Sequence, residues 1–243
     1  MLSRNFRLQR VGDLKWLEKN YKFQKIAFSL DELVVLNATK EKKSIEEFAL
    51  MISNLVDDVF IPIAAGGGIR SVSDAELLFN SGADKIVLNS VLYDDPKVVK
   101  ELVNKYGAQS IVACIDYKKS GGINEVFIHD GTHKLEKSFE QYIDYVVGLD
   151  IGEIYVNSID QDGTGFGYDM NTIKEIASKV SVPLIIAGGA GNESHLIKGL
   201  LENGVSAVAT ANLFNFVGDG LPKARNKIIE SGENIAKWNE LND

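Results

Sequence analysis

Cysteine and histidine are scarce in this chain, which limits the chemistry open to it. Among 243 residues there are one cysteine, Cys114, and three histidines. A single cysteine excludes an internal disulfide and a cysteine-rich zinc site. Cys114 lies inside the apolar run 111–115, so we interpret it as a buried structural thiol and not as a nucleophile. The histidines, His129, His133 and His195, show no metal-ligand spacing with nearby acids, and we predict no metal and no cofactor.

The chain also contains few prolines, fewer basic than acidic residues and no long apolar runs. There are 4 prolines against 22 glycines, and a hydrophobic share of 45% with 25% charged residues is typical of a globular protein. Lys and Arg number 26 against 34 Asp and Glu, a net charge of −8, whereas a nucleic-acid partner requires a basic surface. No apolar stretch is long enough to span a membrane, and no signal peptide opens the sequence. We therefore expect a cytoplasmic protein with neither a nucleic-acid nor a membrane partner.

Short apolar runs alternate with amphipathic helical runs along the chain. Runs that are apolar on both faces and rich in β-branched residues are typical of buried parallel strands, and their alternation with helices predicts right-handed crossovers. Ser44 with Glu47 and Ser73 with Glu76 predict capping boxes. The stretch 118–134 interrupts the alternation and predicts an inserted β-hairpin. The predicted strands are 32–37, 59–65, 85–89, 110–116, 153–159, 182–187 and 206–211, and the predicted helices are 44–55, 73–81, 96–106, 139–147, 170–180, 193–202 and 222–231.

The second half of the chain repeats the first at an offset of 121 residues. Residues 61–69 resemble residues 182–190, and Glu32 lies 121 residues before Glu153. Two (βα)4 halves in tandem predict an α/β protein with a (β/α)8 TIM barrel. An open doubly wound sheet is the alternative, but it would not predict the repeat. The two half-barrels are about 1–108 and 109–243, and together they form one predicted domain.

Glycines follow equivalent predicted strands in the two halves. Because glycines let backbone amides approach a phosphate, and a helix N-terminus adds partial positive charge, two such positions predict a substrate with two phosphates. The alternative is that these glycines only fit tight turns between strand and helix. The first predicted cradle contains Gly67, Gly68, Asn89 and Ser90, and the second contains Gly188, Gly189, Ala211 and Asn212.

Acidic and amide side chains follow other predicted strands at the catalytic end of such a barrel. Asp116 ends an apolar strand, and a carboxyl group against apolar walls is a candidate general acid/base. The loop 158–169, which includes Asp162, is suited to binding hydroxyls or phosphate, or is simply a glycine-rich connector. Asn37 and Asn157 end two further strands, and we expect both to face the ligand.

Three charged residues begin alternate strands at the opposite end of the predicted barrel. Alternate strands fill one interior layer together, so Glu32, Lys85 and Glu153 are expected to meet at the barrel floor. One interpretation is a buried ion-pair cluster that fixes register. The other is a gate on a path through the barrel.

Six motifs in chain order carry a resemblance to a known family. Together they resemble the cyclase subunit of imidazole glycerol phosphate synthase, a (β/α)8 barrel of histidine biosynthesis. The resemblance covers about residues 5 to 230, and the sister isomerase of that pathway fits the loop 158–164 less well. The motifs are AGGGI at 65–69, GADK at 82–85, ID at 115–116, SIDQDGT at 158–164, GYD at 167–169 and GGAG at 188–191.

The resemblance implies a specific reaction and specific residue roles. The family's cyclase forms a heterodimer with a glutaminase docked under the barrel and uses its ammonia to split a bisphosphorylated ribotide. The products are imidazole glycerol phosphate and an aminoimidazole carboxamide ribotide. The resemblance gives Asp116 as one of two catalytic aspartates, and it places Asp84 at the glutaminase dock. It assigns Gly68, Asn89 and Ser90 to one phosphate site, Asp162, Gly163, Gly189, Ala211 and Asn212 to the other, and Glu32, Lys85 and Glu153 to an ammonia gate.

The chain also departs from the family pattern. The family's second catalytic aspartate ends the first strand, and the repeat places that position ahead of Met1. We therefore expect the given chain to begin after strand one, unless residues 22–30 fill the gap; the loop lysine and gate arginine of that segment are missing as well. Asn37 replaces an aspartate and Asn157 a threonine. Two alternatives stay open: a paralogue that passes ammonia to a sugar amidotransferase in surface-polysaccharide biosynthesis, and a non-catalytic scaffold that activates the glutaminase.

Overall fold

A row of parallel strands forms the framework of the protein, in a computed structural model that describes residues 2–9, 28–39, 44–211 and 220–237. Seven of the described strands lie side by side in chain order, beginning with Leu33–Leu36 and ending with Ala207–Val208, and every pairing between these neighbours is parallel. The strands are β1 (Leu2–Arg4), β2 (Arg7–Gln9), β3 (Leu33–Leu36), β4 (Ile63–Gly66), β5 (Lys85–Leu88), β6 (Ile111–Ser120), β7 (Ile123–Ile128), β8 (His133–Ser138), β9 (Glu153–Ser158), β10 (Leu184–Ala187) and β11 (Ala207–Val208).

Helices connect the parallel strands, as the alternating pattern predicts. Each predicted helix is present within a few residues of its expected bounds, and Ser90–Asp94 adds a short helix that was not predicted. The predicted α/β, TIM-barrel-like architecture is confirmed. The helices are α1 (Ile45–Asp58), α2 (Val72–Asn80), α3 (Ser90–Asp94), α4 (Pro96–Tyr106), α5 (Phe139–Val147), α6 (Met170–Ala177), α7 (Glu193–Leu200) and α8 (Gly220–Glu230), with a 3-10 turn at Ala108–Ser110.

The two ends of the strand row, β3 and β11, are not paired with each other in the described ranges. The expectation of a strand before Met1 lies outside the described residues, as do residues 22–27 of the stretch suggested to fill the gap. Residues 28–30 of that stretch form a turn and not a strand.

The internal repeat is visible in backbone geometry. Strands β4 and β10 are offset by 121 residues at both ends, and the Leu33 amide donates to Pro62 O as the Ile154 amide donates to Pro183 O, each at 2.9 Å. The same sequence pattern therefore folds to the same local structure in both halves. The capping box predicted at Ser73 and Glu76 was wrong: Ser71 with Asp74 forms the box of α2, because Asp74 Oδ2 accepts from the Ser71 amide at 2.9 Å. Ser44 caps α1 by accepting from the Glu47 amide at 3.2 Å, which is one half of its predicted box.

Buried apolar side chains form two layers. The larger lies between the strand row and the helices and includes Ile52, Leu78, Leu102 and Ile176. The smaller lies on the other face of the strands and is made of short side chains, with Val34 and Tyr155 packed against it. Cys114 is buried in this inner layer, as predicted, and burial raises the pKa of its thiol. The inner layer consists of Ala64, Val87, Val112 and Cys114.

The insertion after β6 is larger than the predicted hairpin. Strand β6 continues beyond the parallel row to Ser120 and pairs antiparallel with β7, which pairs in turn with β8. The turn between β7 and β8 contains His129 and Asp130, both with positive φ. The short polar strand β8 has few apolar residues, which explains why periodicity did not detect it.

The first described residues form a hairpin that the sequence did not predict. Strands β1 and β2 pair antiparallel through the two-residue turn Asn5–Phe6, with φ of 51° and 61°. Two consecutive left-handed residues are typical of a type I′ hairpin turn, which asparagine favours and phenylalanine does not.

A buried arginine ties the last helix to the start of β3. Arg225 is 6% exposed and donates to Asp31 at 2.9 Å and 3.2 Å, to Ser29 O at 3.3 Å and to Ala236 O at 3.1 Å. We expect Arg225→Ala to lower the free energy of unfolding by about 2 kcal/mol, because two carbonyls lose their donor. Urea denaturation measures this. Asp31→Asn is the matched control and should cost under about 1 kcal/mol, since the Asp31 side chain is largely exposed; equal losses would contradict the assignment.

Candidate active site

Asp116 lies where β6 leaves the parallel row, at the carboxyl end of the strands. It is 8% exposed and stands opposite Asn157 in the ladder with β9. The pKa of the Asp116 carboxyl is raised to about 7, chiefly by burial. Hydrogen bonds from Asn157 and the Cys114 thiol lower it, and the negative charges of Asp162 and Asp130 raise it. A carboxyl group with this pKa populates both protonation states near neutrality, as a general acid/base requires.

Hydrogen-bond donors from three strands converge on this carboxylate. Asn89 Nδ2 donates to Asp116 Oδ2 at 3.1 Å, and Asn157 Nδ2 donates to Oδ1 at 3.0 Å. The thiol of Cys114 lies 3.8 Å from Oδ1. Asn89 and Asn157 were predicted to contact the ligand; the structure places both amides against Asp116. Sequence spacing could not show this, because it does not reveal which way each amide side chain turns.

The first glycine cradle has the backbone that the prediction requires. Gly67 and Gly68 follow β4 with φ of 95° and 89°. A methyl group on Gly67 would lie 2.5 Å from Asn37 O, so only glycine fits there. Ser90, at the start of α3, donates to Asn89 Oδ1 at 3.3 Å and accepts from the His129 amide at 2.9 Å. The insertion thus contacts the edge of this cradle.

The second cradle reproduces the first. Gly188 and Gly189 follow β10 with φ of 89° and 105°, 121 residues after their counterparts. A methyl group on Gly189 would lie 2.1 Å from Gly167 O, in the loop after β9. Ala211 is exposed at the end of a described range, and Asn212 lies outside the described residues.

The loop after β9 supports the N-terminal hairpin. Asp162 Oδ2 accepts a hydrogen bond from Ser3 Oγ and another from the Phe6 amide at 3.3 Å, while Asp162 O accepts from the Asn5 amide at 3.0 Å. A methyl group on Gly163 would lie 2.0 Å from Ser3 O. These predicted phosphate-site residues therefore hold a hairpin over this side of the strand ends, a contact without any sequence signal that we identified.

The hairpin contact is open to a direct test by amide exchange. In Asp162→Ala we expect the amides of residues 2–9 to exchange at least about tenfold faster, because two donors of the hairpin lose their acceptor. Hydrogen–deuterium exchange with mass spectrometry measures this. Asp160→Ala is the matched control, since Asp160 Oδ2 accepts from the Lys119 amide at 2.7 Å and should loosen the β6–β7 insertion instead. Unchanged exchange in residues 2–9 would contradict the contact.

At the other end of the strands, the three predicted floor charges meet. Lys85 Nζ lies 2.7 Å from Glu32 Oε2 and 2.8 Å from Glu153 Oε1, and all three side chains are about one-fifth to one-quarter exposed. Burial lowers the Lys85 pKa, but hydrogen bonds to Glu153 and Glu32 outweigh it and raise the pKa above its usual value. Glu153 Oε2 is buried and has no hydrogen-bond partner in the part of the chain described. The cluster closes the amino end of the inner apolar layer.

Asp84, which the resemblance places at the glutaminase dock, has a structural contact of its own. It is exposed, and its Oδ2 accepts from the Ile63 amide at 2.8 Å. In the second half, Ser206 Oγ accepts from the Leu184 amide at 3.3 Å in the equivalent place. This hydrogen bond fixes the start of β4, and the docking role stays a prediction.

The described ranges contain neither a candidate metal cluster nor a candidate membrane-spanning helix. No group of three or more His, Cys, Asp or Glu residues there is placed to hold a metal ion. None of the helices there is long and apolar enough to cross a membrane.

Comparison with known proteins decides the family. Residues 13–218 match the family described as histidine biosynthesis protein. The chain belongs to this family. A histidine biosynthesis relative from Parasynechococcus marenigrum (strain WH8102), provisionally named imidazole glycerol phosphate synthase subunit hisF2, is 43% identical over 238 residues, which is 98% of this chain and 88% of the relative. Another from Leptospira borgpetersenii, provisionally named imidazole glycerol phosphate synthase subunit HisF, is 37% identical over 190 residues, 77% of this chain and 75% of the relative. The resemblance drawn from the six motifs is thereby confirmed.

Proposed function

We propose that this histidine biosynthesis family member is the cyclase subunit of an imidazole glycerol phosphate synthase. The observation that carries the proposal is the placement of Asp116: a buried carboxyl group with a pKa near neutrality that accepts from two amides. One amide, of Asn89, adjoins Ser90 of the first cradle, and the other, of Asn157, lies against Gly188 of the second. Such a site suits a ligand with a phosphate at each end and a proton transfer between them.

Each part of the site has a role in this reaction. The glycine turns after β4 and β10 hold the two phosphates through backbone amides. Asp116 moves protons at the reacting centre. Ammonia from a partner glutaminase enters past the Lys85 cluster and along the inner layer, whose small side chains (Ala64, Val87 and Val112) leave that face of the strands apolar. A neutral molecule such as ammonia crosses an apolar passage at far lower cost than ammonium does.

Turnover with ammonium tests the proposal without the partner. The protein is incubated with the bisphosphorylated ribotide and ammonium chloride, and imidazole glycerol phosphate is quantified by chromatography. We expect product to accumulate, at a rate that rises with pH as free ammonia increases. No product over the range of pH 7 to 9, with a correctly folded protein, would contradict the proposal.

One observation favours a second candidate function. The residue after β3 is Asn37, whose Oδ1 accepts from the Thr39 amide at 3.2 Å, where the resemblance has an aspartate. A site with fewer carboxylates fits a diverged paralogue that channels ammonia to a sugar amidotransferase. Complementation of a histidine auxotroph separates the two: growth supports the cyclase. Absence of growth, together with ribotide binding in calorimetry, supports the paralogue.

A further inference from the structure

Asp116 is held by two amides that approach it from opposite sides. Asn89 follows β5, Asn157 is the last residue but one of β9, and β6 lies between these strands. The amides donate to different carboxylate oxygens, at 3.1 Å to Oδ2 and 3.0 Å to Oδ1. Each oxygen therefore has its own fixed donor, and the carboxylate plane cannot rotate without breaking one of the two hydrogen bonds.

The contacts of Asn89 fix which atom it presents. Its Nδ2 also donates to Cys114 O at 3.0 Å, and a main-chain carbonyl can only accept. Its Oδ1 accepts from Ser90 Oγ at 3.3 Å. Asn89 can therefore only donate to Asp116, which favours the carboxylate over the carboxylic acid.

Asn157 makes the corresponding connection to the second glycine turn. A methyl group on Gly188 would lie 3.0 Å from Asn157 Oδ1, so the amide stands between that turn and Asp116. In the described residues, the side-chain nitrogen of Asn157 makes one hydrogen bond, which is the one to Asp116. Because Asn89 also contacts Ser90 of the first cradle, Asn157 offers the cleaner test of what the amide pair does.

We infer that Asn157 is a positioning residue that, together with Asn89, holds Asp116 as an oriented carboxylate, ready to accept a proton from the attacking nitrogen. This rests on the proposed function for the identity of that nitrogen. When ammonia adds to an electrophilic carbon, the nitrogen carries an excess proton. Its N–H bond breaks, the electron pair stays on nitrogen, and an O–H bond forms on Asp116.

The other titratable groups near Asp116 are the same in wild type and in the Asn157 variants, so they do not explain a difference between those proteins. The carboxylates of Asp130 and Asp162 raise the pKa of Asp116 through their charges. The thiol and phenol groups that also interact with the Asp116 charge stay neutral from pH 6 to 9, because burial raises their pKa values. They are Cys114, Tyr142 and Tyr155.

The test compares Asn157→Leu, which removes the donor at similar volume, with Asn157→Thr, which keeps a hydroxyl donor. Asn124→Leu is the matched control, because it removes an amide of the insertion strand β7 that donates a hydrogen bond to Thr172 of α6. The titration of Asp116 is followed in the free protein by carboxyl carbon NMR, with the signal assigned by its loss in Asp116→Asn. Ammonium-dependent kcat/KM is measured from pH 6 to 9 in parallel.

In Asn157→Leu we expect the titration midpoint of Asp116 to rise by about one pH unit, because the ionised form loses a donor. The kcat/KM should then fall about fivefold at pH 7 and recover toward the wild-type value near pH 9. Asn157→Thr should lie between Asn157→Leu and wild type, and Asn124→Leu should leave the midpoint unchanged. An unmoved midpoint, or an equal loss of rate at every pH, would overturn the inference. A shifted midpoint in a protein without turnover would uphold it and contradict the cyclase assignment instead.

Discussion

Replacing Asp116 with asparagine lowers the ammonium-dependent kcat by about a thousandfold on the present account, because the proton acceptor at the reacting centre is lost. Binding of the bisphosphorylated ribotide should change by less than about tenfold, since the glycine turns that hold its phosphates are intact. Steady-state kinetics and calorimetry measure the two effects. Asp150→Asn is the matched control: Asp150 is exposed, and its left-handed φ of 59° is one that asparagine tolerates. A kcat within tenfold of wild type would contradict the role of Asp116.

The same variant has a signature in stability. The Asp116 pKa is raised by burial from 3.8 to about 7 in the folded protein. Ionisation of this carboxyl therefore opposes folding, and its cost develops as pH rises from about 4 to about 7, to the order of 4 kcal/mol. Asp116→Asn, which cannot ionise, should gain stability relative to wild type across that window in urea denaturation. A constant difference between the two proteins from pH 4 to 7 would show that the group is not desolvated.

The second large effect concerns Lys85 at the amino end of the strands. In Lys85→Met the carboxylates of Glu32 and Glu153 lose the cation that lies within 2.8 Å of both, and we expect a loss of about 3 kcal/mol in the free energy of unfolding at pH 7. Urea denaturation at pH 7 measures this loss.

A triple variant separates the lost attraction of Lys85 for the two glutamates from the repulsion between those glutamates. Adding Glu32→Gln and Glu153→Gln to Lys85→Met removes both negative charges, so the triple variant should be more stable at pH 7 than Lys85→Met alone. Lys105→Met is a suitable control, because its partner Glu76 lies on the exposed helical surface. Equal losses in Lys85→Met and Lys105→Met would contradict the importance of the floor cluster.

Sequence periodicity and the repeat predicted most of the fold. The 121-residue offset placed β4 and β10, and Gly67 and Gly188, in equivalent positions, because the same apolar alternation and the same glycines impose the same local geometry. The N-terminal hairpin escaped prediction, since its turn places Phe6 at a positive φ that phenylalanine rarely adopts. Its Phe6 amide donates to Asp162, which lies 156 residues away in the chain, a contact that local sequence does not reveal.

The candidate site was predicted in part. Asp116 and the glycines were found because each residue type carries its own signal at a strand end. The predicted barrel places β6 between β5 and β9, but the contacts of Asn89 and Asn157 with Asp116 were not found, because they depend on which way each amide turns. A position at the end of a strand predicts that a side chain reaches the site; the orientation of that side chain determines whether it meets the ligand or another side chain.

The fate of nitrogen from ammonia tests the central claim most directly. The protein is given the bisphosphorylated ribotide and ¹⁵N-ammonium, and the products are separated and examined by mass spectrometry and NMR. We expect one ¹⁵N atom in imidazole glycerol phosphate and none in the aminoimidazole carboxamide ribotide, with no labelled product from Asp116→Asn. Intact ribotide after incubation with the folded wild-type protein, or unlabelled imidazole product, would contradict it.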